Sequence, residues 1–395
     1  MAEEIKRQVY LDHMANTPID PRVIEEMLPH LKENYGNPLN FHDFGAKTAE
    51  AIEEARAKVA ELVAAHPVEI IFTSCGTEAN NFAIKGIARA YEKKGKHIIT
   101  SAIEHFSALY TLKDLEKTGY KITYLPVDNQ GLVNPDTVCQ AITPETTLIT
   151  LTHASNEIGT LEPIAEIAKK IEGKGVLFHI DAVQTAGSIP LEVNELGVDA
   201  LTFSANQFYG PTGIAALYLR KGTRILPLLL GGTQEEGRRA GTPNLPGIVG
   251  MGKAAELAKL EMDQRISKLV PLRDKLLKGL QEKIEYFYVT GHPTQRLPGH
   301  ASGYVRFVEG ESMSMFLNME GIAISTGSAC VSKALKASHV VLAIGVNPED
   351  VHGSLVFSLG KDNSEDEVDY VLEKLPPIVN RLREMSPLYQ RHQGG

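Results

Sequence analysis

The sequence reads as an α/β protein with a large, mostly parallel sheet, followed by a smaller α+β domain. Between about residues 55 and 225, β-branched and apolar runs alternate with helical stretches, the pattern of a parallel sheet covered by helices on both faces. From about residue 248 the pattern changes. Met262, Ile266, Leu269, Leu276, Leu280 and Ile284 recur at three- and four-residue intervals, as on one face of a long helix. At 395 residues with 43% hydrophobic content, the chain is long enough to bury more than one core.

In chain order, residues 1–20 read as an N-terminal arm, 21–262 as the large domain and 263–395 as the small one. Strands are expected at 69–73, 97–100, 121–126, 147–151, 176–180, 200–203 and 214–219, bounded by turn residues. Amphipathic helices are expected at 50–64, 78–93, 108–118 and 164–170. The long helix after residue 248 is read as interrupted by Pro271, because proline lacks the backbone donor. Strands follow at 287–289 and 303–307. Ser364-Glu-Asp-Glu367 is a capping box that opens a helix with Val368, Val371, Leu372 and Leu375 inward. The tail from residue 390 has nothing to pack and reads as loose.

Composition excludes several roles. With 40 Lys and Arg against 49 Asp and Glu, the formal charge is −9, so there is no basic field to hold a nucleic-acid backbone. The longest apolar run, at 225–230 and containing Pro227, falls far short of the ~20 residues of a spanning helix. The first residues lack the apolar stretch of a signal peptide, so a cytoplasmic protein is expected. Cys75, Cys139 and Cys330 are too few and too scattered for a disulfide framework or a self-contained zinc site.

Two stretches carry chemistry. Ser74-Cys-Gly-Thr-Glu-Ala-Asn80 joins a predicted strand to a predicted helix, where backbone N–H groups and the Thr77 hydroxyl favour a phosphate; alone it is a weak signal and reads first as an ordinary capped turn. His179-Ile-Asp-Ala-Val-Gln184 places Asp181 at a strand end, in the crevice where such sheets bind ligands. A carboxylate there suits a protonated heterocyclic nitrogen, or is simply a solvated strand end.

Together with Tyr10-Leu-Asp12, Gly36-Asn-Pro38, Ser101-Ala-Ile-Glu-His105, Ala154-Ser-Asn-Glu-Ile-Gly159, Gly237-Arg-Arg-Ala-Gly-Thr242 and Ser325-Thr-Gly-Ser-Ala-Cys330, these motifs make the chain resemble cysteine desulfurases of the NifS/IscS type, from about residue 9 to residue 389. The resemblance implies the fold-type-I architecture of pyridoxal phosphate (PLP) enzymes, a homodimer, and sulfur transfer through an active-site cysteine to a U-type iron–sulfur scaffold protein. By position it implies that Gly76, Thr77 and Ser204 hold the PLP phosphate, with Thr242 supplied by the neighbouring subunit. It further implies that His105 stacks on the pyridine ring, that Asp181 pairs with the ring nitrogen, and that Asn156 and Gln184 contact the phenolic oxygen.

The sequence departs from that pattern at the reacting centre. Where the family carries its Schiff-base lysine, in Ser204-Ala-Asn-Gln-Phe-Tyr-Gly-Pro211, this chain has Gln207. An amide nitrogen is neither nucleophilic nor basic, so it can neither link PLP nor shuttle the proton. Asn206 stands where the family has a histidine, and Val356 where an arginine would clamp the substrate carboxylate. Cys330 remains, in a small polar loop read as mobile, with Lys333 and Lys336 near in sequence. Cys75 and Cys139 read as packing residues, with Cys75 placed close to any bound phosphate.

Three coordinated changes at one reaction imply a variant branch. This chain is then expected to act in iron–sulfur assembly with a scaffold, to hold PLP non-covalently, partially or not at all, and to use Cys330 as persulfide carrier or as a ligand of a cluster shared with the partner. An active desulfurase using a base other than lysine, with the retained His105 and Asp181, stays open as the alternative.

Overall fold

The computed structural model describes residues 7–327 and 337–393. Cys330 and its two neighbouring lysines therefore lie outside the described residues. The main sheet has seven strands in the order Ile70–Thr73, Ala215–Leu219, Ala200–Ser204, Leu177–Asp181, Thr146–Thr152, His97–Ser101 and Lys121–Leu125. Neighbours are parallel except around Ala215–Leu219, which runs antiparallel to both partners. The large sheet domain and its mostly parallel order thus follow the expectation.

The strand interiors are buried on both faces, so they read as continuous apolar and threonine runs instead of alternating ones. On one face the Gly76–Ala90 and Phe106–Lys117 helices pack Ile84, Ile87, Leu112 and Leu115 against Ile71, Ile98 and Leu217. On the other, Asp43–Leu62, Ile164–Ile171 and the start of Leu245–Lys283 pack Ile52, Val59, Ile167 and Met251 against Ile70, Phe72 and Phe203.

The helix expected to break at Pro271 does not. Leu245–Lys283 runs through it for 39 residues, passing from the large core into the small one. An interior proline costs a helix about 3 kcal/mol. Beyond it Leu272, Leu276 and Leu277 are buried, each worth roughly 1.5–3 kcal/mol, and their packing holds the helix in register.

The small core surrounds the antiparallel sheet of Phe287–Val289, His300–Val305 and Ser354–Ser358, against which the Glu365–Glu384 helix lays Val368, Val371 and Leu375. That helix opens with the expected capping box, the Ser364 N–H donating to Glu367 Oε2 at 2.9 Å. The N-terminal arm, from residue 9, is paired into the same region. Val9–Tyr10 lies parallel to Ile322–Ala323, and Val9 and Leu11 are buried in the small core. Among the described residues no helix is long and apolar enough to cross a membrane.

Candidate active site

The parallel strands end on one rim, and the residues that follow them close a cavity of about 370 Å³. Thr152 and Asp181 are register partners at that rim, and Ser204 ends the next strand. The Gly76–Ala90 helix starts there too. A Cβ on Gly76 would come within 2.9 Å of Val183 Cγ2, so only glycine lets the helix end approach the turn after Asp181 this closely. Of the residues implicated by sequence, Gly76, Thr77, His105, Asn156, Asp181, Gln184, Ser204 and Gln207 all line this cavity.

A hydrogen-bonded chain crosses its floor. Asp181, 6% exposed, accepts from Val183 N at 3.0 Å and from Asn80 Nδ2 at 2.6 Å. The same Asn80 nitrogen reaches Ser107 Oγ at 2.8 Å, and Ser107 Oγ meets His105 Nδ1 at 2.8 Å. The Ser107 backbone N–H also donates to that nitrogen, at 3.2 Å. His105 Nδ1 is thus an acceptor, which puts the ring proton on Nε2. Asn80 and Ser107 were not singled out from sequence. Asn80 lies one helical turn beyond Gly76, the spacing that puts both on one face, and that was the available signal.

Gln207 is turned away from nucleophilic work. Its Nε2 donates to Met14 O at 3.1 Å and lies 3.5 Å from Ala15 O, and Gln184 Nε2 donates to Met14 O at 3.2 Å. Two glutamine amides therefore hold the arm against the cavity. Val356, 3% exposed, is locked in the Ser354–Ser358 strand by reciprocal backbone bonds with Ser325. No lysine or arginine is among the described residues lining the cavity.

Cys75 corrects its sequence reading. It is exposed, caps the Gly76–Ala90 helix through its Sγ, which accepts from Glu78 N at 3.4 Å, and lines the cavity instead of packing in a core. Thr242 lies elsewhere, in a separate cavity of about 120 Å³ with Ser74 and Arg239. The single chain does not bring it to the other residues.

Three carboxyls are buried beneath the rim. Burial pushes Glu104 up to about 8, against the Ser101 hydroxyl and Thr152 N–H that stabilise its charge, with Asp181 adding to the rise. Glu162 is likewise pushed up to about 8 by burial and the charge of Glu104, and Glu157 to about 7 by burial against its bond from Ser338.

The cavity fits the phosphate and ring of PLP on its own features: a helix N-terminus whose glycine admits close approach, a strand-end carboxylate, and the buried acceptors Asn80 Oδ1 and Gln184 Oε1 left without protein donors. It does not fit a covalent link at residue 207 or a carboxylate clamp at residue 356.

Comparison with known proteins bears on the family and the fold. Residues 9–371 match the family described as aminotransferase class-V. The chain is similar to the protein named cysteine desulfurase IscS of Dictyoglomus turgidum, 51% identical and covering 98% of each. It is 50% identical to that of Methanosarcina thermophila, over 97% of this chain and 94% of the other. Among solved structures it is similar to a NifS-like protein, with a TM-score of 0.90 and 38% identity over 95% of this chain and 100% of that one. A structure of SspA in complex with cysteine superposes with a TM-score of 0.77 and 33% identity, over 89% of this chain and 99% of that one.

Proposed function

The chain belongs to the class-V aminotransferase family, and we propose that it is a desulfurase homologue that handles sulfur for iron–sulfur assembly without cleaving free cysteine itself. The observation that carries this reading is Gln207. It occupies the position the resemblance gives to the Schiff-base lysine, and its nitrogen is committed to the carbonyls of Met14 and Ala15. When bound, PLP supplies an electron sink for charge developing on the substrate carbon. Gly76, Thr77 and Ser204 would hold its phosphate, Asp181 its ring nitrogen and His105 its ring face, non-covalently. Val356 offers a substrate carboxylate no charge-assisted hydrogen bond.

What remains reactive is Cys330, proposed as persulfide carrier or as one ligand of a cluster shared with a U-type scaffold protein. The protein acts as a homodimer in this reading. Leu31, Tyr35, Phe41 and Leu230 stand out to solvent in the single chain, and Thr242 would reach the partner's cavity. Purified protein given L-cysteine and PLP should form negligible alanine and sulfide, while anaerobic co-purification should recover a scaffold with iron and sulfide. Robust turnover would refute the proposal.

One observation favours the alternative of an active enzyme with another base. The Asp181–Asn80–Ser107–His105 chain is intact and gives the cavity a hydrogen-bond donor in His105 Nε2–H, an acid that would complement a base supplied by another group. A single turnover that yields stoichiometric alanine, abolished in His105→Ala, would support it.

A further inference from the structure

The amide of Gln207 has a fixed polarity. Met14 O and Ala15 O can only accept hydrogen bonds, so the nitrogen must face them, and the oxygen is what the side chain has left to offer the cavity. The position where the family carries an amine therefore presents an acceptor. The rest of the described wall carries no fixed positive charge. It includes two carboxylates, Asp12 and Asp181, and no lysine or arginine among the described lining residues. Asp12 Oδ1 and Gln184 Oε1 are buried without a donor. Such a wall is short of positive charge, its donors being neutral groups such as the Thr77 and Ser204 hydroxyls and His105 Nε2–H.

The two common forms of the cofactor differ in this property. Pyridoxal phosphate brings an aldehyde oxygen, a further acceptor; pyridoxamine phosphate brings a charged ammonium with three donors. We propose that this cavity takes the cofactor in its amine form, held non-covalently, with the Gln207 oxygen as acceptor for the amine and Asp12 supplying the compensating charge. The proposal rests on the reading of the cavity as a PLP-type pocket with Gln207 in the lysine's place. It makes that substitution a change of ligand preference as well as a loss of chemistry.

The test is equilibrium dialysis of the cofactor-stripped full-length protein against pyridoxamine 5′-phosphate, pyridoxal 5′-phosphate and 4′-deoxypyridoxine 5′-phosphate, which carries neither group. Pyridoxamine phosphate should bind about tenfold or more tightly than pyridoxal phosphate, as one charge-assisted hydrogen bond provides. The deoxy compound should fall near the aldehyde. In Gln207→Lys the order should reverse, because an ammonium then opposes an ammonium. Equal or tighter binding of pyridoxal phosphate by the unaltered protein overturns this inference while leaving the pocket reading intact. Binding of none of the three overturns the pocket reading itself.

Discussion

In the proposed function one side chain, Gln207, redirects a site without disturbing its frame. It keeps the volume and hydrogen-bonding habit of a long polar residue, yet its nitrogen is spent on the arm's carbonyls. Gln207→Lys should therefore recover a lysine-linked absorbance with PLP that borohydride fixes to the chain. Alanine formation from cysteine should stay low until Val356→Arg is added, which should raise kcat/KM about ten- to a hundredfold by restoring charge-assisted bonds to the substrate carboxylate. If the lysine variant alone turns over freely, Val356 is not the second defect. A further residue-scale test concerns Glu104. Its ordinary value near 4.5 rises to about 8 in the fold. Between those values the folded chain holds a proton that the unfolded chain has released, so stability falls as pH rises. The slope has a ceiling of about 1.4 kcal/mol per pH unit for each such group. Glu162, about 8, and Glu157, about 7, add to it. Thermal midpoints should drop between about pH 6 and pH 8, and Glu104→Gln should flatten that drop. Unchanged slopes in this variant would show that Glu104 does not hold its proton across the range.

At the scale of elements, local and distant causes separate. The capping box before Glu365–Glu384 was readable because all its atoms come from four consecutive residues, and Ser364→Ala should cost about 1 kcal/mol in denaturant unfolding. The pair of Arg56 and Glu235 was not readable. These side chains, 10% and 7% exposed, meet at 2.8 Å across 179 residues, and Glu235 also accepts from Phe72 N at 3.0 Å, tying the Asp43–Leu62 helix to the edge strand. Glu235→Ala leaves a buried guanidinium short of its partner and should cost about 3–5 kcal/mol, measured the same way. A loss below 1 kcal/mol would mean that the guanidinium re-pairs with its neighbour Glu53. The unbroken helix through Pro271 has the same lesson. Proline's local penalty was visible in the sequence, and the two cores that outweigh it were not.

For the whole molecule, the exposed apolar surface is the outstanding feature of the isolated chain. Phe41 is fully exposed and Leu230 is 85% exposed, far from the cavity floor in sequence. Sedimentation should give a dimer, and Phe41→Asp with Leu230→Asp should shift it to monomer. Persistence of the dimer would place its interface elsewhere. The parallel sheet, its covering helices and the cavity segments at Thr77 and Asp181 were legible in the sequence because strand ends and helix starts are local signals. A parallel α/β sheet then delivers them to one rim by topology alone. His105, Asn156, Gln184, Ser204 and Gln207, by contrast, were reached through the family resemblance. The sequence also determined that residue 207 offers an amide, which cannot form a Schiff base, and residue 356 an aliphatic chain, which cannot pair with a carboxylate. Only the tertiary structure decided which way that amide faces and that Asn80 and Ser107 join Asp181 to His105. Those facts depend on contacts between segments distant in the chain, and hydrogen-bond partners of that kind exist only after the backbone has folded.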